Sequence, residues 1–275
     1  MLQKQKRILV LGGTGRVGRA LMHVWPADLP TPVFQARAGG AYPWDMLSEP
    51  APELPEDIVG IVALAGVTRG DDTALMMNTR LAQAACDLSS RAGGVRVLLA
   101  SSQAVYGAPT MPVSEKSPTN PQTPYGQAKL MMERAVSGDQ NTTCLRIGNV
   151  AGCDGLLLAA GRGSAVALDR FADGQGPQRT YIGPQVLARV LGALMMHPAP
   201  LPKVLNVGQP GAVAMADLLD AAAVPWRWRP AGAGALRALD LRCDRLAGLV
   251  SLPMATPSGL IAQARAAGWP EGAVT

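Results

Sequence analysis

The chain has 275 residues, 48% of them apolar and 16% charged, enough for a large buried core and too apolar for a disordered segment. Its net charge of +5 is mild: it favours anionic small-molecule partners and gives little support to a nucleic-acid role. The longest uncharged apolar run, Ile58–Val67, is far too short to cross a bilayer, so no membrane role is expected.

The basic start "MLQKQKR" runs directly into "ILVLGG" without a small-residue cleavage site. It reads as the lead into a first strand rather than a signal peptide. Cys86, Cys144, Cys153 and Cys243 form no C-x-x-C pair, and only His23 and His197 accompany them. No metal site is expected, and reduced thiols in a cytoplasmic protein is the plain reading.

In chain order, "RILVLG" is a short buried-type strand, and Arg16 to about Trp25 is a helix stopped at Pro26. "TPVFQAR" is a second strand and "IVGIVALAG" a third. A long helical pattern over about Asp71–Arg91 leads to a fourth strand, "VRVLLASS". A helix near Tyr125–Val136 precedes another strand, "TTCLRIG". Short continuous apolar strands separated by helices predict an α/β fold, a Rossmann-type doubly wound parallel sheet covered on both faces.

After Gly152 the texture changes to Gly, Pro and Ala, with helices over 184–196 and 214–223 and one strand-like piece, "KVLNVG". Residues 1–152 are expected to form an NAD(P)-binding domain. Residues 153–275 are expected to form a small C-terminal α/β substrate lobe, interleaved with the first domain and packed at the carboxyl end of the sheet.

The stretch "GGTGRVG" fits two glycine spacings, G-x-G-x-x-G and G-x-x-G-x-x-G. A strand ending in such glycines and running into a helix brings backbone N–H groups and a helix dipole to a phosphate. The second strand ends in Arg37 and carries no acid. An acid there would bond the ribose 2′-hydroxyl of NAD, whereas an arginine accommodates the 2′-phosphate of NADP. NADP is therefore the expected cofactor and NAD the alternative, with Arg16 a second phosphate partner.

Tyr125 and Lys129 stand four apart and share one face of the predicted helix. A phenol with an ordinary pKa of about 10 is a poor proton carrier, and a nearby cation in a dry pocket is expected to lower it. Ser102, at the end of the fourth strand, is placed to hydrogen-bond a substrate oxygen.

Glycine loop, strand-end serine and Tyr/Lys pair occur in the order of a known family. With "VALAG", "SSQAVYG", "YGQAK", "LRIGNVAG" and "GPQRTYIGPQVLARVLGAL", the sequence resembles an extended short-chain dehydrogenase/reductase of the NAD-dependent epimerase/dehydratase family. The resemblance implies Ser102, Tyr125 and Lys129 as the catalytic trio. It implies cofactor contacts from Gly12, Gly15, Arg16, Val17 and Gly18, from Asp45 and Met46 at the adenine, from Leu64, Ala65 and Gly66, and from Asn78 near the nicotinamide. Asn149 and Arg179 match positions that touch the substrate diphosphate in relatives acting on nucleotide sugars.

Two departures narrow the function. Gln103 and Ala104 follow Ser102 where dehydratases of the family carry an acidic pair. Only 29 residues separate Asn149 from Arg179, a trimmed substrate lobe. The expected activity is NAD(P)-dependent hydride transfer at a carbonyl or alcohol carbon. A nucleotide-sugar epimerase with retained NAD is the alternative, and a non-catalytic NADP-sensing protein the third reading. The substrate is expected to be a small molecule, a sugar or nucleotide sugar among the candidates. The apolar triplets Leu75–Met77 and Leu130–Met132, on helices that the family pairs across subunits, point to a homodimer.

Overall fold

The computed structural model describes residues 6–163 and 165–270. Its first part comprises β1 (Arg7–Leu11), α1 (Arg16–Val24), β2 (Thr31–Ala36), β3 (Tyr42–Pro43), β4 (Ile58–Ala63), α2 (Asp72–Arg91), β5 (Arg96–Ser102), α3 (Pro124–Ala135) and β6 (Thr142–Ile147). There follow β7 (Asn149–Val150), α4 (Gly155–Gly161), β8 (Val166–Arg170), β9 (Gln178–Ile182), α5 (Pro184–Met195), β10 (Val204–Val207), β11 (Ala212–Ala214) and α6 (Met215–Ala222). The last elements are β12 (Trp226–Pro230), β13 (Ala238–Leu239), α7 (Asp244–Ala247) and α8 (Pro257–Ala266).

Every residue of β1 from Ile8 to Leu11 is fully buried, which requires cover on both faces of the sheet. Ile8 and Val10 pack with Leu21 of α1 and Leu187 and Leu191 of α5. Leu9 and Leu11 pack with Ala85 and Leu88 of α2 and Met132 of α3. The seven strands run in the order β10-β6-β5-β4-β1-β2-β3, and all six pairings are parallel. The chain winds outward from β1 to β3, then returns to β4 on the other side of β1. That reversal opens a crevice at the carboxyl ends of β1 and β4, where doubly wound folds bind ligands.

The smaller lobe is built around β9, which pairs with β7, β11 and β13, beside a separate β8–β12 ribbon. Its core holds Leu157, Leu168, Tyr181, Leu218, Leu260 and Trp269. Two later elements, β10 and α5, belong to the main layer. Both come from beyond Gly152, yet β10 pairs in parallel with β6 and α5 packs into the main-sheet core.

The helix that carries Tyr125 starts where its sequence dictates. Thr123 accepts a hydrogen bond from the Gly126 N–H at 3.1 Å, and Pro124 occupies the first turn, where its missing N–H costs nothing. Asp71 caps α2 in the same way, accepting from the Ala74 N–H at 2.8 Å. By contrast, α1 begins at Gly15 without any side-chain cap.

Candidate functional site

The glycine loop joins β1 to α1 at the crevice. Gly12 has φ +84°, and a Cβ there would lie 2.6 Å from the Ala65 amide nitrogen. A Cβ on Gly18 would lie 2.4 Å from the Gly12 carbonyl oxygen and 2.6 Å from that of Gly13. Gly12 and Gly18 therefore serve close backbone packing. At the exposed Gly15 an added Cβ would meet one backbone atom, the Gly12 carbonyl oxygen at 3.2 Å, and the first turn of α1 carries no capping side chain.

The loop is braced by a residue that strand patterning alone did not single out. Gln35, buried in β2, accepts a hydrogen bond from the Gly12 N–H at 2.8 Å and donates to the Trp44 carbonyl at 2.6 Å. The available signal was an amide in register with the inward-facing Val33 of an apolar strand, where a buried polar group must find partners.

A cavity of about 330 Å³ lies at the crevice, and the expected trio Ser102, Tyr125 and Lys129 lines it together with Arg16, Leu64 and Gly66. Val17, Asn149 and Asp154 complete the relevant wall. Ser102 ends β5, accepts from the Ala104 N–H at 3.2 Å and is hydrogen-bonded to Tyr125. The Lys129 ammonium donates to the Ala100 carbonyl at 2.8 Å and lies 6.0 Å from the centroid of the Tyr125 ring. Burial pushes the Lys129 pKa down to about 8.

The expectation that Lys129 lowers the Tyr125 pKa requires correction. Burial pushes the phenol above its ordinary value, and this outweighs the Ser102 hydrogen bond and the Arg16 charge, which both pull it down. Removing a phenolate from water costs more here than those two interactions return.

The other expected contacts divide into two groups. Asn78 is buried; it accepts from the Val67 N–H at 3.2 Å and donates to the Val67 and Leu75 carbonyls. It thus holds the loop after β4 in place, and a Cβ on Gly66 would lie 2.9 Å from its Oδ1. Ala65 backs Gly12. Outside the cavity lining, Arg37 is exposed just beyond β2. Asp45 closes its own turn by accepting from the Leu47 N–H, and Met46 is buried. Arg179 donates to the carbonyls of Gln178, Leu236 and Arg237, so its guanidinium is committed to the backbone of the small lobe.

A polar chain absent from the sequence reading runs behind the cavity. Gln103 donates to Asn149 Oδ1 at 2.8 Å, Asn149 is hydrogen-bonded to Tyr181, and the Tyr181 hydroxyl donates to Asp154 Oδ2 at 3.3 Å. Asp154 also caps α4 by accepting from the Leu156 N–H. Its Oδ1 is buried without a well-formed hydrogen bond, and burial raises its pKa to about 6. No sequence motif pointed to Asp154, because only the fold brings the turn after β7 to Tyr181.

A buried ion pair anchors the other side of the site. The Arg146 guanidinium donates to both carboxylate oxygens of Glu133, and Ser101 donates to Glu133 at 2.5 Å. The pair ties β5, α3 and β6 together directly behind Ser102 and Lys129. Among the described residues no group of His, Cys, Asp and Glu side chains is arranged to hold a metal ion.

The model of the NAD dependent epimerase/dehydratase family matches residues 52–182, a span that includes the Ser/Tyr/Lys trio. One curated relative is a UDP-glucose 4-epimerase of Azospirillum brasilense, 28% identical over 176 residues. The match takes in 54% of the chain and spans half the length of that relative.

Among solved structures, UDP-glucose 4-epimerase from Brucella ovis in complex with NAD has a TM-score of 0.76 at 20% identity, covering 94% of this chain and 97% of that one. MoeE5 in complex with UDP-glucuronic acid and NAD has a TM-score of 0.74 at 23% identity, covering 94% and 98%. At such identities the likeness shows a shared fold.

Proposed function

We propose that this chain is an NAD(P)-dependent oxidoreductase acting on a carbonyl or alcohol carbon, with Tyr125 as proton donor and acceptor. One observation carries the reading. Ser102 from the end of β5 and Tyr125 and Lys129 from the first turns of α3 converge on one cavity that also meets the start of α1.

The residues fit a dinucleotide. Gly15, exposed, leaves the first turn of α1 without a capping side chain, so a diphosphate would reach the amides of Arg16, Val17 and Gly18. Leu64, Ala65 and Gly66, held by Asn78, would flank it, and Lys129 would hold a ribose hydroxyl. A bound nicotinamide dinucleotide supplies the two-electron oxidising or reducing equivalent. The absence of an acid at the end of β2 and the exposed Arg37 favour NADP over NAD.

Within this frame the protein residues move one proton. The Tyr125 hydroxyl gives its proton to the substrate oxygen as a carbonyl becomes an alcohol, and takes it back in the reverse direction. Ser102 donates a hydrogen bond to that oxygen and stabilises its developing charge. A phenol held above its ordinary pKa is protonated at neutral pH, the state needed for the reductive direction.

A nucleotide-sugar epimerase is the second reading, favoured by Asn149 at the cavity wall. Against it, Asn149 is engaged by Gln103 and Arg179 by backbone carbonyls. Gln103 in place of an acid also disfavours a dehydratase. The Ser/Tyr/Lys convergence argues against a purely NADP-sensing protein.

Among the described residues the four cysteines form no disulfide, in keeping with a cytoplasmic protein. No helix among the described residues is long and apolar enough to cross a membrane. Exposed Met76 on α2 and Met131 on α3, two helices that pack on each other, favour a homodimer.

The test is a spectrophotometric assay of NADPH and NADH against a panel of aldehydes, ketones and sugars, with mass spectrometry of the co-purified nucleotide. Stoichiometric consumption of NADPH supports the oxidoreductase. Sugar interconversion with retained NAD and an unchanged pool replaces it with the epimerase. Binding without turnover of either kind leaves the sensor.

A further inference from the structure

A second recess, of about 250 Å³, adjoins the trio's cavity and shares Arg16, Thr68, Arg69 and Gly155 with it. Three guanidinium groups line it: Arg16 from the start of α1, Arg69 from the loop after β4 and Arg162 from the end of α4. These side chains come from three separate segments.

Among the described residues none of the three is paired with an acid, whereas Arg7, Arg146, Arg189, Arg229, Arg237, Arg242 and Arg245 each have a carboxylate partner. Among the described residues Arg16 donates to neutral acceptors, the Cys153 carbonyl at 3.2 Å and the Thr68 hydroxyl at 3.3 Å. These bonds fix its position and leave donors of its fork unused. The one acid on the adjoining wall, Asp154, is turned to its own helix start and to Tyr181. Among the described residues the combined lining therefore carries more positive than negative charge, and a concave wall of one sign attracts an anion.

The alternative anion ligand on the substrate side, Arg179, is committed to backbone carbonyls. The Arg16 charge also acts on the Tyr125 phenol, so the recess lies close to the reacting centre.

We propose that Arg16, Arg69 and Arg162 form an anion subsite that holds a phosphoryl group of the substrate beside Tyr125. The subsite deepens the oxidoreductase reading and rests on it for the nature of the reacting centre. The phosphoryl group belongs either to a small phosphorylated carbonyl compound or to the diphosphate of a nucleotide sugar.

The test is isothermal titration of the full chain, saturated with NADP or NAD, with inorganic pyrophosphate and separately with UDP-glucose at constant ionic strength. Arg16 is left intact because it also lies at the dinucleotide site. The informative variant is Arg69→Gln with Arg162→Gln, and the control is Arg134→Gln with Arg227→Gln, which removes the same charge from surfaces elsewhere. The expected result is saturable pyrophosphate binding that weakens about tenfold or more in the first variant and is unchanged in the control. UDP-glucose binding tighter than pyrophosphate identifies the nucleotide diphosphate as the source; weaker or equal binding identifies a small phosphorylated substrate.

Three results overturn the subsite: no binding up to about 10 mM, a range that covers weak single-anion sites; equal loss in both double variants; or pyrophosphate displaced by the dinucleotide. Dinucleotide affinity, measured on the same samples, is a separate readout. Its absence sinks the enzyme reading without touching the difference between the two double variants.

Discussion

The Lys129 ammonium and the Ala100 carbonyl oxygen are 2.8 Å apart, a hydrogen bond that turns the lysine toward the end of β5 instead of toward solvent. It fixes the cation one helical turn from Tyr125 in a site where burial has brought its pKa down to about 8. The unfolded lysine titrates near 10.4, so the unfolded chain binds more protons between about pH 8 and 10.4. Stability contributed by this site therefore rises with pH through that window, and the penalty is fully present below about pH 8. Lys129→Met should remove the penalty. Relative to wild type, it should gain roughly 3 kcal/mol more at pH 7 than at pH 10.5, read from urea denaturation at the two pH values. A pH-independent difference would contradict the buried charge.

Tyr125 gives a sharper kinetic expectation. Tyr125→Phe removes the proton carrier and leaves the ring packing in place, so kcat should fall by about 10²–10⁴-fold with an unchanged unfolding midpoint. Ser102→Ala should cost less, roughly 10–10³-fold, because one of several charge-stabilising contacts is lost. Full activity of Tyr125→Phe on every accepted substrate would remove the proposed mechanism.

The two ends of the glycine loop should respond differently to the same added methyl. Gly18→Ala drives a Cβ to 2.4 Å from the Gly12 carbonyl. The gain in helix propensity, at most about 1 kcal/mol, cannot offset the overpacking of about 1–3 kcal/mol. Gly15→Ala meets nothing closer than 3.2 Å at a backbone φ of −71°. It should disturb the fold less than Gly18→Ala while lowering dinucleotide affinity about tenfold, the scale of one lost charge-assisted contact. Thermal melts with and without NADP separate the two effects.

Most of the main sheet was readable because the physics that forms it is local. Continuous apolar runs such as "ILVL" require two covered faces, and Thr123-Pro124 marks a helix start that sets Tyr125 and Lys129 on its first turns. What escaped depends on contacts between distant segments. Arg179 carried a family position, but its guanidinium turns to carbonyls of residues 236 and 237, a partnership that no local pattern encodes. The Tyr125 pKa moved opposite to expectation because spacing reveals a nearby cation but not the desolvation that opposes it. Asp154 and Arg162 lie in a Gly-rich stretch without periodicity, and only the packing of the small lobe brings them to the trio.

The Glu133–Arg146 pair predicts a large loss when one side alone is removed. Both side chains are less than a tenth exposed, so Arg146→Met leaves a buried, unpaired carboxylate. The expected destabilisation is about 3–5 kcal/mol, and replacing both partners with apolar residues should recover most of it. Urea denaturation of Arg146→Met and of the double variant Glu133→Leu/Arg146→Met tests this. Equal losses would mean that the pair acts only through packing.

Asp154 should show the opposite pH behaviour to Lys129. Its carboxyl has a folded pKa of about 6 against about 3.9 unfolded. Between these values the folded chain holds the extra proton, so stability falls as pH rises from about 4 to 6, and the penalty is complete above that window. Asp154→Asn retains an oxygen to cap α4 and cannot ionise. It should be more stable than wild type by about 2–3 kcal/mol at pH 7 and by much less at pH 4, as measured by urea midpoints at the two pH values. Because Tyr181 links Asp154 to Asn149 and Gln103, the wild-type carboxylate also pulls on the chain behind Ser102 as it ionises. An inflection near pH 6 in kcat/KM that vanishes in Asp154→Asn is the corresponding kinetic mark. A profile unchanged by the substitution would confine Asp154 to its helix cap.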